Sequence, residues 1–259
     1  MKIFVWTFLL FFLALPAHAE VVAKTVEYTI DGEQFEGVII YTEAADALKP
    51  GILMVPNWMG PTEQSREKAA RVAGDSYVVF MIDMYGTDIR PQDTGQARTA
   101  AARIREDRSL MRLRVNAALE VFKEQGDVVP LDTSRIAAIG FCFGGEVALE
   151  LARSGTELSG VVSFHGTLGT ADPADAQNIR TKILALHGAD DPLVPDDQVQ
   201  EFINEMREAD VDWQMIHYGG AVHSFTDPYA QMPGTAEYHP VVARRAFAAM
   251  ETFFKEIFQ

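Results

Sequence analysis

A chain of 259 residues is long enough for one large domain or two small ones with a full hydrophobic core. Its single cysteine, Cys142, excludes an intrachain disulfide framework and any multi-cysteine zinc or iron–sulfur site. With 37 acidic side chains against 22 basic ones, and a net charge of −15, it lacks the basic balance that nucleic-acid binders use to neutralise phosphates.

The chain opens on Lys2, an apolar run from Ile3 to Leu15, Pro16 and then Ala17-His18-Ala19. This is the layout of a secretory signal peptide over residues 1–19, and the run is short for a membrane span. The expectation is cleavage after Ala19. Residues 20–259 then form one exported domain, periplasmic and free of the membrane once the leader is removed.

Thr25–Ile30 and Phe35–Tyr41 alternate partly and are joined by the hairpin signal Asp31-Gly32. Short runs with apolar residues on both faces follow: Gly51–Val55, Tyr77–Ile82, Arg135–Ile139, Leu158–Phe164, Lys182–Leu186 and Trp213–Tyr218. Such runs suit a parallel sheet covered by helices. Helices are predicted over Glu63–Ala73, Thr99–Glu124, Glu146–Arg153, Asp197–Glu208 and Pro240–Phe258. The alternation predicts a doubly wound, mostly parallel α/β sheet opened by an antiparallel hairpin. Functional residues of such sheets gather in loops at the carboxyl ends of the strands.

The strand ending at Ile139 runs into Gly140-Phe141-Cys142-Phe143-Gly144-Gly145, directly before a helix pattern. This is the context of a nucleophile elbow, with cysteine where serine is more usual. The glycines make room for a strained turn, and the helix start favours a thiolate. The backbone N–H of Phe143 is an oxyanion donor. A cysteine nucleophile needs a base, and the base an orienting acid. His223, in a flexible loop after the last strand, is the candidate base. In His187-Gly188-Ala189-Asp190-Asp191-Pro192, Asp191 is preferred over Asp190 because it directly precedes the turn-stiffening proline. Nucleophile, acid, histidine is the chain order of the α/β-hydrolase arrangement. A metal site from His165, His187 and His223 has no HxH or HExxH spacing behind it, so no metal or cofactor is expected. His187 reads as a hydrogen-bonded residue beside the acid turn, while His217 and His239 need no functional role.

The elbow, Gly188-Ala189-Asp190-Asp191 and Ala221-Val222-His223-Ser224-Phe225 together resemble the dienelactone hydrolase family. The likeness extends to Val55-Pro56-Asn57-Trp58-Met59-Gly60 and Ile82-Asp83-Met84-Tyr85-Gly86. The resemblance implies cofactor-free hydrolysis of a small ester or lactone by Cys142, His223 and Asp191 through a thioacyl intermediate. It also makes the N–H of Trp58 a second oxyanion donor. Asn57, Tyr85 and Phe225 become candidates for the substrate pocket. Asn57 stands where the founding members carry a glutamate tied to thiol ionisation. Gly86-Thr87 and Asp227 stand where they carry carboxylate-binding arginines, so a neutral ester or lactone is expected.

Arginines at 98, 103, 105, 108, 112 and 114 read as a solvated helix face. In the other reading, Arg90 or one of these reaches the cleft. Two further readings of the chain stay open: a catalytically weak α/β-hydrolase-fold binding protein, and a redox-sensing thiol.

Overall fold

The structure, a computed structural model, describes residues 20–43 and 47–259. The leader expected over residues 1–19 lies outside the described residues. Strands β1 (Val21–Ile30) and β2 (Glu33–Thr42) form the antiparallel hairpin. Asp31 and Gly32 turn it with φ of 49° and 82°, the left-handed pair that a two-residue hairpin loop requires.

In chain order follow β3 (Lys49–Val55), α1 (Glu63–Ala73), β4 (Val78–Met81), α2 (Thr94–Glu106) and α3 (Arg108–Glu124). Then come β5 (Leu131–Phe141), α4 (Phe143–Arg153), β6 (Gly160–Phe164), β7 (Lys182–Gly188) and α5 (Asp196–Glu208). The chain ends with β8 (Trp213–Tyr218), β9 (Gln231–Met232), β10 (Ala236–Glu237) and α6 (Pro240–Ile257). One sheet of eight strands has the order β1-β2-β4-β3-β5-β6-β7-β8. The strands from β4 to β8 in that order pair in parallel, and β2 meets β4 antiparallel. The fold is the α/β class that the alternation of elements predicts.

Successive strand residues point to opposite faces, which explains why these runs are apolar throughout. Leu53, Val55 and Ala138 join a core with residues of α2, α3, α4 and α5. Ile52, Met54 and Ile139 join a second core with residues of α1 and α6. No helix among the described residues is long and apolar enough to cross a membrane.

Several elements differ from the sequence expectation. The helix predicted over Thr99–Glu124 is two helices. Asp93 caps α2 by accepting the Gln96 N–H at 2.8 Å, and Asp107 leaves the helical region to accept the Leu110 N–H at 2.9 Å. An aspartate side chain that satisfies an orphan N–H starts a new helix instead of continuing the old one. Helix α4 also begins earlier than predicted, at Phe143, with Gly144 and Gly145 inside its first turn.

The break at Asp107 changes the meaning of the arginines. Arg105 and Arg108, one from each helix, take opposite oxygens of buried Glu146, each at 2.7 Å. Arg112 pairs with buried Glu150 at 2.8 Å and with Asp175 at 2.6 Å. Arg114 is itself buried, pairs with Glu33 and donates to the Met84 carbonyl at 2.9 Å. The expectation of a solvated face fails for these four; only Arg98 and Arg103 of the run are exposed. Buried carboxylates on α4 require such partners, since an uncompensated buried charge costs several kcal/mol, about 3–5 when one partner is removed.

Candidate active site

Strand β5 delivers the chain into the elbow, where Cys142 adopts φ 57° and ψ −119°. A non-glycine residue in this region is strained and needs its surroundings to hold it. The neighbouring glycines permit that. A Cβ on Gly140 would lie 1.8 Å from the Gly144 carbonyl oxygen, and one on Gly144 would lie 2.2 Å from that of Val55. The start of α4 therefore packs directly on the ends of β3 and β5. Phe143 is its first residue, so its N–H has no intrahelical partner and favours negative charge on the neighbouring sulfur.

Three loops bring Cys142, His223 and Asp191 into line. Nε2 of His223 lies 3.0 Å from Cys142 Sγ, and Nδ1 lies 2.8 Å from Asp191 Oδ2. The other carboxylate oxygen of Asp191 accepts the Leu193 N–H at 2.9 Å. Asp190, by contrast, is exposed. The loop that carries the histidine is held on both sides of it: His223 N–H donates to the Thr235 carbonyl at 3.1 Å, and Glu237 N–H donates to the His223 carbonyl at 3.0 Å. The β9–β10 pair thus clips the backbone of a residue expected in a flexible loop. Strands of two residues are too short to leave a pattern in the sequence.

The electrostatics follow from this geometry. Burial pushes the Cys142 thiol up, but the His223 charge, its hydrogen bond, the Phe143 N–H and Arg105 together hold it below its ordinary value. Burial pulls His223 down. The Cys142 charge and the hydrogen bonds to Asp191 and Cys142 outweigh it and push the imidazole up to about 10. The two groups titrate as a pair whose favoured state is thiolate with imidazolium.

His165, at the end of β6, supports the elbow in a way the sequence did not suggest. The Cys142 N–H is shared between the Phe164 carbonyl, at 3.0 Å, and His165 Nδ1, at 3.2 Å, while His165 Nε2 lies 2.7 Å from Thr226 Oγ1. Burial and the nearby positive charge of His223 and Lys68 keep this imidazole neutral. The only advance sign was its position at a strand end. His187 stacks edge-on against His217 at 5.3 Å, and its Nδ1 has no hydrogen-bond partner among the described residues, contrary to the expected bonded role. No three His, Cys, Asp or Glu side chains converge as metal ligands among the described residues.

The loop after β3 faces the elbow. The Trp58 carbonyl accepts the Tyr85 hydroxyl at 2.8 Å, and the Tyr85 ring stacks on Phe143 with centroids 5.8 Å apart. Tyr85 therefore ties together the two loops that carry the expected oxyanion donors. Asn57 Nδ2 donates to Asp227 Oδ2 at 3.3 Å and its Oδ1 accepts the Met59 N–H at 3.0 Å. With Lys68, Asp227 and Tyr229 it lines a cavity of about 240 Å³. Phe225 is fully buried, edge-on to His165 at 4.9 Å, and packs behind the histidines. Arg90 is taken by Asp83 at 2.9 Å, so of the arginines considered for the cleft it is Arg105 whose charge reaches Cys142.

The chain is similar to several known proteins. A solved structure named m3DLH superposes with a TM-score of 0.85 at 38% identity, covering 92% of this chain and 99% of its own. A dienelactone hydrolase-like promiscuous phosphotriesterase from metagenomic libraries gives 0.84 at 36% identity, covering 92% and 98%. Protein usf of Aquifex pyrophilus is 26% identical over 239 residues, 90% of this chain and 98% of the relative. The sequence profile described as "Dienelactone hydrolase family" matches residues 35–258, from within β2 to the end of α6. By that match, which takes in the elbow, the acid turn and the histidine loop, the chain belongs to the dienelactone hydrolase family.

Proposed function

We propose that this chain hydrolyses a small carboxylic ester or lactone through a thioester on Cys142. The thiolate attacks the carbonyl carbon, and the N–H groups of Phe143 and Trp58 receive the oxyanion. As the intermediate collapses, the His223 imidazolium gives its proton to the leaving alkoxide. The neutral imidazole then takes a proton from water, and the hydroxide attacks the thioester. Collapse of the second intermediate releases the acid and returns the thiolate facing an imidazolium. Asp191 orients the imidazole throughout and favours its charged form.

The observation that carries this reading is the continuous line from Asp191 through His223 to Cys142, at 2.8 and 3.0 Å, ending on a sulfur in a strained turn. Family membership supports hydrolysis as the reaction class. Turnover of p-nitrophenyl acetate by the wild type, Cys142→Ala and His223→Ala tests it. Loss of activity in both variants, with an acyl adduct on wild-type Cys142 seen by mass spectrometry, is the expected result. Equal rates in all three proteins would overturn it.

A further inference from the structure

Both chain neighbours of Cys142 are phenylalanines, and each carries a cation on its ring. Nζ of Lys68, from α1, lies 4.4 Å from the Phe141 centroid, and Cζ of Arg105, from α2, lies 5.3 Å from the Phe143 centroid. Phe141 belongs to the core shared with α1 and α6, and Phe143 to the core shared with α2–α5. The two cations therefore approach the sulfur from opposite sides of the sheet.

Arg105 shares the single charge of Glu146 with Arg108. Arg105 spends only Nε on Glu146, leaving Nη1 and Nη2 without partners among the described residues. Lys68 forms no ion pair among the described residues and sits half-buried on the aromatic face, where burial pulls its ammonium below the ordinary value, Arg71 adds to this, and Asp227 and Cys142 oppose it. Ring faces attract such cations, so each phenylalanine acts as a seat that holds a charge near the nucleophile.

We infer that Lys68 and Arg105 form a two-sided cationic bracket, seated on Phe141 and Phe143, that favours negative charge on the Cys142 sulfur even while His223 is uncharged. The other charges around the sulfur do not supply this effect. His165 and Tyr85 are held neutral by burial, and Asp191 is spent on His223. Glu146 is matched by Arg105 and Arg108, and Asp227 faces Lys68. The Coulomb effect of both cations on Cys142 is favourable to the thiolate.

The inference rests on Cys142 as nucleophile, but its test reads the thiol and not ester turnover. In a His223→Ala background, iodoacetamide alkylation of Cys142, the one cysteine of the chain, is followed against pH. Lys68→Met and Arg105→Gln are each expected to raise the midpoint and slow labelling at pH 7 by about threefold or more, with the double variant slower still. Lys68→Arg and Arg105→Lys are expected to restore the rate, which repacking alone would not do. Arg108→Gln, which loses the same carboxylate without facing the sulfur, serves as the control. An unmoved midpoint, failure of the conservative variants to restore it, or an Arg108→Gln effect as large as that of Arg105→Gln would overturn the bracket. A bracket that passes in a protein without ester turnover would overturn the proposed function alone.

Discussion

His223 and Cys142 face each other at 3.0 Å, and each moves the ionisation of the other. The thiol is held below its ordinary value and the imidazole is pushed up to about 10, so the charged pair spans the pH range between them. Raising pH through the depressed thiol value removes the sulfur proton while His223 keeps its own. Iodoacetamide labelling should thus reach its plateau below the ordinary thiol value of about 8.5. His223→Ala should move the midpoint back toward that value. A wild-type profile centred on the ordinary thiol value would contradict the pairing.

Asp191→Asn keeps the size of the side chain and an oxygen for the Leu193 N–H, now bonded at 2.9 Å. It removes the charge that fixes the imidazole tautomer. The expected outcome is an intact fold with kcat lowered by about 10³–10⁴-fold. Circular dichroism together with ester turnover checks both halves of that statement.

Tyr85→Phe deletes the hydroxyl that donates to the Trp58 carbonyl at 2.8 Å and leaves the ring stacked on Phe143. The loss in stability should be about 1 kcal/mol. Turnover should fall by about tenfold, mostly in kcat, because a displaced oxyanion donor acts on the transition state. An unchanged kcat would show that the Trp58 loop holds its position without this tie.

Arg153 is 1% exposed and pairs with Glu205 at 2.7 Å and with Glu150 at 3.1 Å. Arg153→Met would strand Glu205 as a buried carboxylate without its partner, while Glu150 keeps Arg112. The expected cost is about 3–5 kcal/mol, read as a shift in the urea midpoint. Arg153→Met with Glu205→Leu should recover most of it, since an apolar pair needs no compensation.

The strands, the hairpin and the elbow were legible in the sequence because they rest on local rules. Apolar runs mark buried strands, Asp31-Gly32 fits its turn, and only glycines fit at 140 and 144. What the sequence did not reveal depends on contacts between distant elements. An arginine on a helix looks solvated until Glu146, 41 residues away from Arg105, is brought beneath it. His165 acquires its partner in the Cys142 N–H only through the pairing of β5 with β6. The helix break at Asp107 could have been found, since an aspartate before Arg108-Ser109-Leu110 is an ordinary cap.

The clip that β9 and β10 place on His223 has an evolutionary reading. The base is anchored through its own main chain, at Thr235 and Glu237. Met232, at 54% exposure, and the Pro233-Gly234 tip that closes the clip stand outside that anchor. Substitutions at the tip can therefore accumulate while the imidazole keeps its place against sulfur and carboxylate. The chain can in this way vary at an exposed turn without disturbing the residue that the turn helps to hold.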